Sequence, residues 1–133
     1  MKKKKIRALE IKPMEHPAVC YIEPTAKAFK QAVGADFIKY GKVEAKRLSK
    51  RVYAIFNKDR FLADIKPNRQ IGEDIICGTM YIVAIDDNGF LISLTDNQTA
   101  KYTLLFYDAE EFEEIDVAEA NINTLMSRLW KDE

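Results

Sequence analysis

One histidine, His16, and two cysteines, Cys20 and Cys77, are all that this chain of 133 residues offers as soft metal ligands. A structural zinc set needs four ligands, drawn mostly from Cys and His, so none is expected. His16 sits in a proline-flanked loop, with no local partner to orient it as a general base. Neither cysteine belongs to a C-x-x-C pair, and both lie in apolar runs, where burial raises a thiol's pKa and works against nucleophilicity. They read as reduced, buried thiols, and a disulfide would require two strands to bring them together. Glycine is also scarce. Gly72 and Gly78 stand alone, without the Gly-Lys-Ser/Thr sequel of a phosphate loop.

Long apolar runs are missing too. The longest uncharged stretch, residues 75–85, is about half of what a bilayer requires. Residues 6–11, after the N-terminal lysines, are interrupted by Arg7 and Glu10, so no secretory signal is read and a cytoplasmic location is expected. Charge of one sign is absent overall. Lys plus Arg number 21, Asp plus Glu number 21, and the formal net charge is zero, which leaves no global field to draw in nucleic acid. The charges are nevertheless uneven. Residues 2–5 are four lysines, residues 39–60 are rich in Lys and Arg, and residues 108–119 carry seven acids and no base. Such runs read as a tail and two solvated faces. The acidic run lacks the ligand spacing of a calcium loop, and Asp86-Asp87 beside Asn88-Gly89 reads as a turn before it reads as a metal pair.

Apolar residues make up 47% of the chain and charged ones 32%, the balance of one globular domain with its own core. Residues 6–11 and 18–22 read as two paired strands separated by a loop with Pro13 and Pro17. Thr25 is placed to cap a helix over 25–33, with Gly34 at its end and Ala28, Phe29, Ala32 and Val33 on one face. Residues 36–40 read as a strand, 41–51 as a basic connection, and 52–56 as a β-branched and aromatic strand. A turn at 57–60 would lead to a return arm at 61–63. The strongest strand signal covers 79–85, closed by an Asn-Gly turn and a partner strand at 90–93. Thr95 with Gln98 forms a capping box for a helix over 95–106. Asp116 with Glu119 repeats the signal for a last amphipathic helix to about residue 130. The expectation is an α+β fold: a mostly antiparallel sheet with about three helices in a single compact domain. Residues 1–5 form a basic tail, 6–106 the domain, and 107–133 an acidic linker and C-terminal helix that packs on the domain or on a partner.

The segment that stands out is Lys66-Pro67-Asn68-Arg69, followed by Gly78-Thr79 at the start of the strongest strand. Pro67 stiffens the backbone, Asn68 bonds to nearby main chain, and Arg69 offers a planar fork of donors. Gly78 permits a close approach, and Thr79 adds a hydroxyl. Folded together, they would make an anion-friendly pocket. The same residues also read structurally, with Asn68 capping a turn and Arg69 pairing with Glu73 or Asp74.

Residues 6–13, Ile-Arg-Ala-Leu-Glu-Ile-Lys-Pro, resemble the opening of a family of small proteins from bacteriophages, plasmids and conjugative elements, known only as a domain of unknown function. Other pieces follow in that family's order: a helix ending in Val33-Gly34, a strand running into Asn57, then Pro67-Asn68-Arg69, Gly78-Thr79 with an apolar strand, and Ser93-Leu94-Thr95-Asp96 opening a helix. The resemblance covers residues 6–106 and departs in the basic 41–51 stretch and beyond residue 106. It implies a cytoplasmic protein of a mobile element inside a bacterial host and brings no activity with it. It adds Asn57 to the candidate ligand-binding set of Asn68, Arg69, Gly78 and Thr79.

No cofactor, metal or catalytic residue is expected. The leading expectation is a non-catalytic binding module that holds a small anionic ligand such as a nucleotide, or inhibits a host protein. The alternative is an interaction protein that oligomerises or docks a partner through its C-terminal helix.

Overall fold

The computed structural model describes residues 4–34, 43–57, 66–110 and 112. Strand β7 (Met80–Ile85) occupies the middle of the sheet, and five of its six residues are buried. A strand covered on both faces reads as a continuous apolar run, not as an alternation, which is why its signal in the sequence is so strong. β7 pairs antiparallel with β1 (Ile6–Ile11) on one side and β4 (Val52–Asn57) on the other. β2 (Ala18–Ile22) flanks β1, and β3 (Val43–Ser49) flanks β4, giving the order β2-β1-β7-β4-β3. A short strand, β8 (Leu91–Ile92), extends the β1 side by pairing with the end of β7. A separate hairpin joins β5 (Pro67–Ile71) to β6 (Asp74–Cys77).

Strand alternation sorts the core into two layers. One face of the sheet carries Ile6, Ala8, Ile55, Tyr81 and Val83, and α1 (Ala26–Ala32) covers it with Phe29 and Val33. Phe29 meets Tyr81 edge to face, with ring centroids 6.0 Å apart. The other face carries Leu9, Ile11, Val52, Ala54, Phe56, Met80, Ile82 and Ala84. It is covered by Leu94, by Tyr102 and Phe106 at α2 (Asp96–Leu105), and by Ile76 of the β5–β6 hairpin.

The helix boundaries follow local chemistry. Thr25 Oγ1 accepts from the Ala28 amide, and Thr95 with Gln98 closes both bonds of the capping box. At the β7–β8 turn, Asp86 Oδ1 accepts from the amides of Asn88 and Phe90, so this aspartate serves the turn. The α+β, mostly antiparallel architecture agrees with the sequence reading. Two helices are present among the described residues. The predicted C-terminal helix, the strand at 36–40, the turn at 58–60 and the return arm at 61–63 lie outside them.

Two expectations need correction. The basic stretch is not a plain connection over its described part, because Val43–Ser49 forms β3, and Lys50 and Arg51 make the turn into β4. As an edge strand it tolerates Glu44, Lys46 and Arg47, which hid its strand character. Asn68 does not cap a turn, because it lies in an edge strand that starts at Pro67, a position where the missing amide costs no ladder bond. The apolar run 75–85 also divides into two strands. Gly78, at φ +79°, turns the chain from β6 into β7, and a side chain there would strain this left-handed backbone.

Ile82 is fully buried at the centre of the sheet. Ile82→Ala is expected to destabilise the protein by about 3 kcal/mol in urea denaturation, from lost burial plus the cavity left behind. Val19→Ala, at a half-exposed edge position, is expected to change stability by no more than about 0.5 kcal/mol.

Candidate functional site

Arg69 is the largest fully buried side chain among the described residues, with 1% of its surface exposed. A buried guanidinium without partners would cost several kcal/mol, so its donors must be placed. Nε and Nη2 both donate to the Phe106 carbonyl, at 3.2 and 3.0 Å. Nη2 also donates to the Glu15 carbonyl at 2.6 Å. Nη1 donates to the Asn68 side-chain oxygen at 2.9 Å and to the Asn68 carbonyl at 3.3 Å. These five bonds match the five N–H donors of the group. Burial pulls the Arg69 pKa below its ordinary value, while the negative fields of Glu110 and Asp108 oppose that shift. A guanidinium remains charged regardless.

Asn68 completes the arrangement. It is fully buried, and its Nδ2 donates to the carbonyls of Ile11, at 2.7 Å, and Gly78, at 2.8 Å. The Gly78 amide in turn donates to the Lys66 carbonyl. Asn68 and Arg69 therefore staple the β5–β6 hairpin to the end of β1, to the 12–17 loop and to the exit of α2. Thr79 lies half-buried in the link between β6 and β7, next to Gly78. Asn57 is buried at the end of β4 and belongs, by strand alternation, to the opposite face of the sheet. Of the five residues singled out by the sequence, the fold thus joins Asn68, Arg69 and Gly78, leaves Thr79 beside them and sends Asn57 elsewhere. The structural pairing of Arg69 with Glu73 or Asp74 does not occur, and Asp74 instead bonds Lys46 at 2.8 Å.

Next to this staple lies an open groove of about 620 Å³. Its floor and walls include Leu48 of β3, Gln70 and Ile71 of β5, and Tyr102, Leu105 and Phe106 of α2 and its cap. Lys101 stands on its rim together with Asp108 and Glu110. Tyr102 is fixed through its hydroxyl to Ser49 Oγ, at 2.8 Å. The outward amide of Gln70 donates to Glu110 Oε2 at 2.9 Å, so the edge of β5 that pairs with no strand among the described residues faces the groove. These residues carry no joint signal in the sequence, because they are scattered over β3, β5, α2 and the segment that follows it. His16, read as a plain loop residue, stacks on Tyr107 with centroids 4.0 Å apart and contacts the Tyr107 carbonyl through Nδ1.

On the opposite face, Tyr81 donates its hydroxyl to Glu10 Oε2 at 2.7 Å, close to Cys20. Burial, aided by the Glu10 charge, pushes the Cys20 thiol up to about 11. The Tyr81 pKa rises as well, through burial first and its bond to Glu10 second. Neither group is activated as a nucleophile. Among the described residues no cluster of His, Cys, Asp and Glu could hold a metal ion. No described helix is long and apolar enough to cross a membrane.

The sequence pattern of one protein family, described as Domain of unknown function (DUF3846), matches residues 6–107. The chain belongs to this family. No curated protein and no solved structure gives a match. The DUF3846 match begins with β1 and ends just past α2, so it takes in every described strand and helix, the Asn68–Arg69 staple and most of the groove.

Two outcomes are expected for the DUF3846 domain. Arg69→Met, measured by urea denaturation, should lose roughly 3–5 kcal/mol, because the carbonyls of Phe106 and Glu15 lose buried donors. Cys20 should react with iodoacetamide at neutral pH about a hundred-fold more slowly than a free thiol, with the rate climbing toward pH 11. The sign for stability follows from the same shift. The folded thiol's raised pKa contributes stability that is complete below the ordinary thiol pKa and lost as pH rises through about 11.

Proposed function

We propose that this protein is a non-catalytic binding module that holds an extended segment of a partner protein in the groove between β5 and α2. The observation that carries the reading is the Gln70 amide, which points out of the β5 edge into the groove and holds a carboxylate oxygen of Glu110. A free strand edge beside an apolar trough is the setting for strand addition. Main-chain bonds supply affinity there, and alternate side chains supply specificity. Leu48, Ile71 and the exposed Leu105 offer apolar contacts along the trough. Asp108, Glu110 and Lys101 line the groove with charges of both signs and favour a segment that carries both a basic and an acidic residue.

Arg69 is not the recognising group in this reading. Arg69 lines the groove, but its five donors are bonded within the protein, so it has none left to offer a ligand. A small anion bound through that side chain would have to displace buried bonds. The likeness to proteins of mobile elements makes a bacterial host protein the natural class of partner, met in the cytoplasm.

The test is selection of peptides from a random display library against the full chain, followed by calorimetry of a selected peptide. Ile71→Arg is expected to weaken that peptide at least about ten-fold, a loss of about 1.4 kcal/mol. The Gln70 amide is expected to shift in NMR spectra on peptide addition. Peptides that bind without moving the Gln70 amide, or whose affinity ignores Ile71→Arg, overturn the reading.

A further inference from the structure

Among the described residues, β2 and β3 are the outer strands of the main sheet, and they differ in how they are guarded. Edge strands usually avoid pairing with other chains through charges, bulges or proline. β3 has two of these devices: Glu44, Lys46 and Arg47 lie within it, and its register with β4 shifts between Arg47 and Ser49. β2 has none. Its five residues, Ala18–Ile22, are uncharged, free of proline and in unbroken register with β1. Val19 and Tyr21 remain 50% and 63% exposed on it. Among the described residues no strand pairs with its outer edge.

We infer that β2 is a self-pairing edge, and that two copies of this chain join their sheets by antiparallel addition of β2 to β2. The strand is complementary to itself when the two-fold axis passes through Cys20. Val19 then lies opposite the partner's Tyr21, and Tyr21 opposite the partner's Val19. A β-branched residue facing an aromatic one is among the favourable cross-strand pairs. Ala18 falls opposite the partner's Ile22, so no charge faces a like charge within the strand. The acid next to its end, Glu23, falls opposite the partner's Pro17 and not opposite its own copy. This register also satisfies hydrogen bonding, because residues that are two apart point their main-chain groups the same way and the axis matches outward residues with outward residues. Such an isologous contact closes at two chains and leaves the β3 edges, with their charges, at the ends of the joined sheet. The contact lies at the far edge of the sheet from β3 and does not depend on the groove.

Sedimentation of the full chain over a concentration series up to the high-micromolar range tests this. The wild type is expected to approach the mass of two chains. Val19→Lys with Tyr21→Lys sets like charges across the axis and, at two exposed positions, leaves the core intact. It is expected to retain the wild-type circular dichroism and to weaken the dimer at least about ten-fold. Ala45→Lys, on the guarded edge, is expected to leave the dimer unchanged. If the double variant unfolds, Tyr21→Lys alone is measured in its place. A wild type that stays monomeric throughout, or a folded β2 variant that dimerises as well as the wild type, overturns the inference.

Discussion

The structure depends on one buried cation. The Arg69 guanidinium reaches the Phe106 carbonyl where α2 ends, the Glu15 carbonyl in the loop between β1 and β2, and both oxygens of Asn68. Glu15 and Phe106 are far apart in sequence, and neither lies in a strand. Helix α2 leaves its last carbonyls without intrahelical donors, as every helix does. The 12–17 loop, with two prolines, has few donors of its own. A single side chain with five fixed donors answers several of these needs together. Neither a lysine, whose three donors sit on one point, nor an apolar residue of equal volume offers that geometry.

Because the β5–β6 hairpin is separate from the main sheet, it needs a tether of this kind. An isolated two-stranded hairpin is marginal in water. Ile76 packs into the core beneath α2, and Asn68 ties the hairpin to the ends of β1 and β6 through Ile11 and Gly78. Lys46 adds a bond from β3 to Asp74. The hairpin thus becomes a fixed wall, and its outer edge becomes a surface of defined shape. A groove whose walls come from three elements can be specific only if those walls do not drift, and the buried bonds of Arg69 and Asn68 restrain them.

Much of the scaffold is legible in the residues. Capping at Thr25 and Thr95, the Asn-Gly turn and the apolar run of β7 each carry a local signal that the fold obeys. What escaped has a common cause. β3 is an edge strand whose charges mimic a loop, and β5 starts with proline and carries a buried Asn and Arg where a strand normally carries apolar residues. Local pattern assigns a polar residue to the surface, and tertiary context overrides it here. Asn68 and Arg69 stand out in the sequence as a polar pair behind a proline, and both are buried. Their partners could not be named from sequence, because a backbone carbonyl has no identity in a sequence. Asn57 was drawn in by its place in the resemblance, and strand alternation removes it to the other face.

Under the proposed function, the difference between Arg69 and Gln70 accounts for where a partner segment would enter. A ligand replaces existing bonds, so the site opens where those bonds are weakest. The Arg69 bonds are buried and charged, and removing their partners leaves polar groups without water, at a cost of several kcal/mol. The bond from the Gln70 amide to Glu110 is exposed, and the carboxylate it releases is solvated at once, so its net contribution is about 1 kcal/mol or less. In the proposed complex, a peptide carbonyl arriving at β5 would exchange one acceptor for another on the same amide, with little loss. Glu110 then remains at the rim as a charge for a basic side chain. The immovable residue and the exchangeable bond are neighbours in sequence: the Arg69 side chain is buried in the core, and the main-chain amide of Gln70 points out of the ladder toward Glu110.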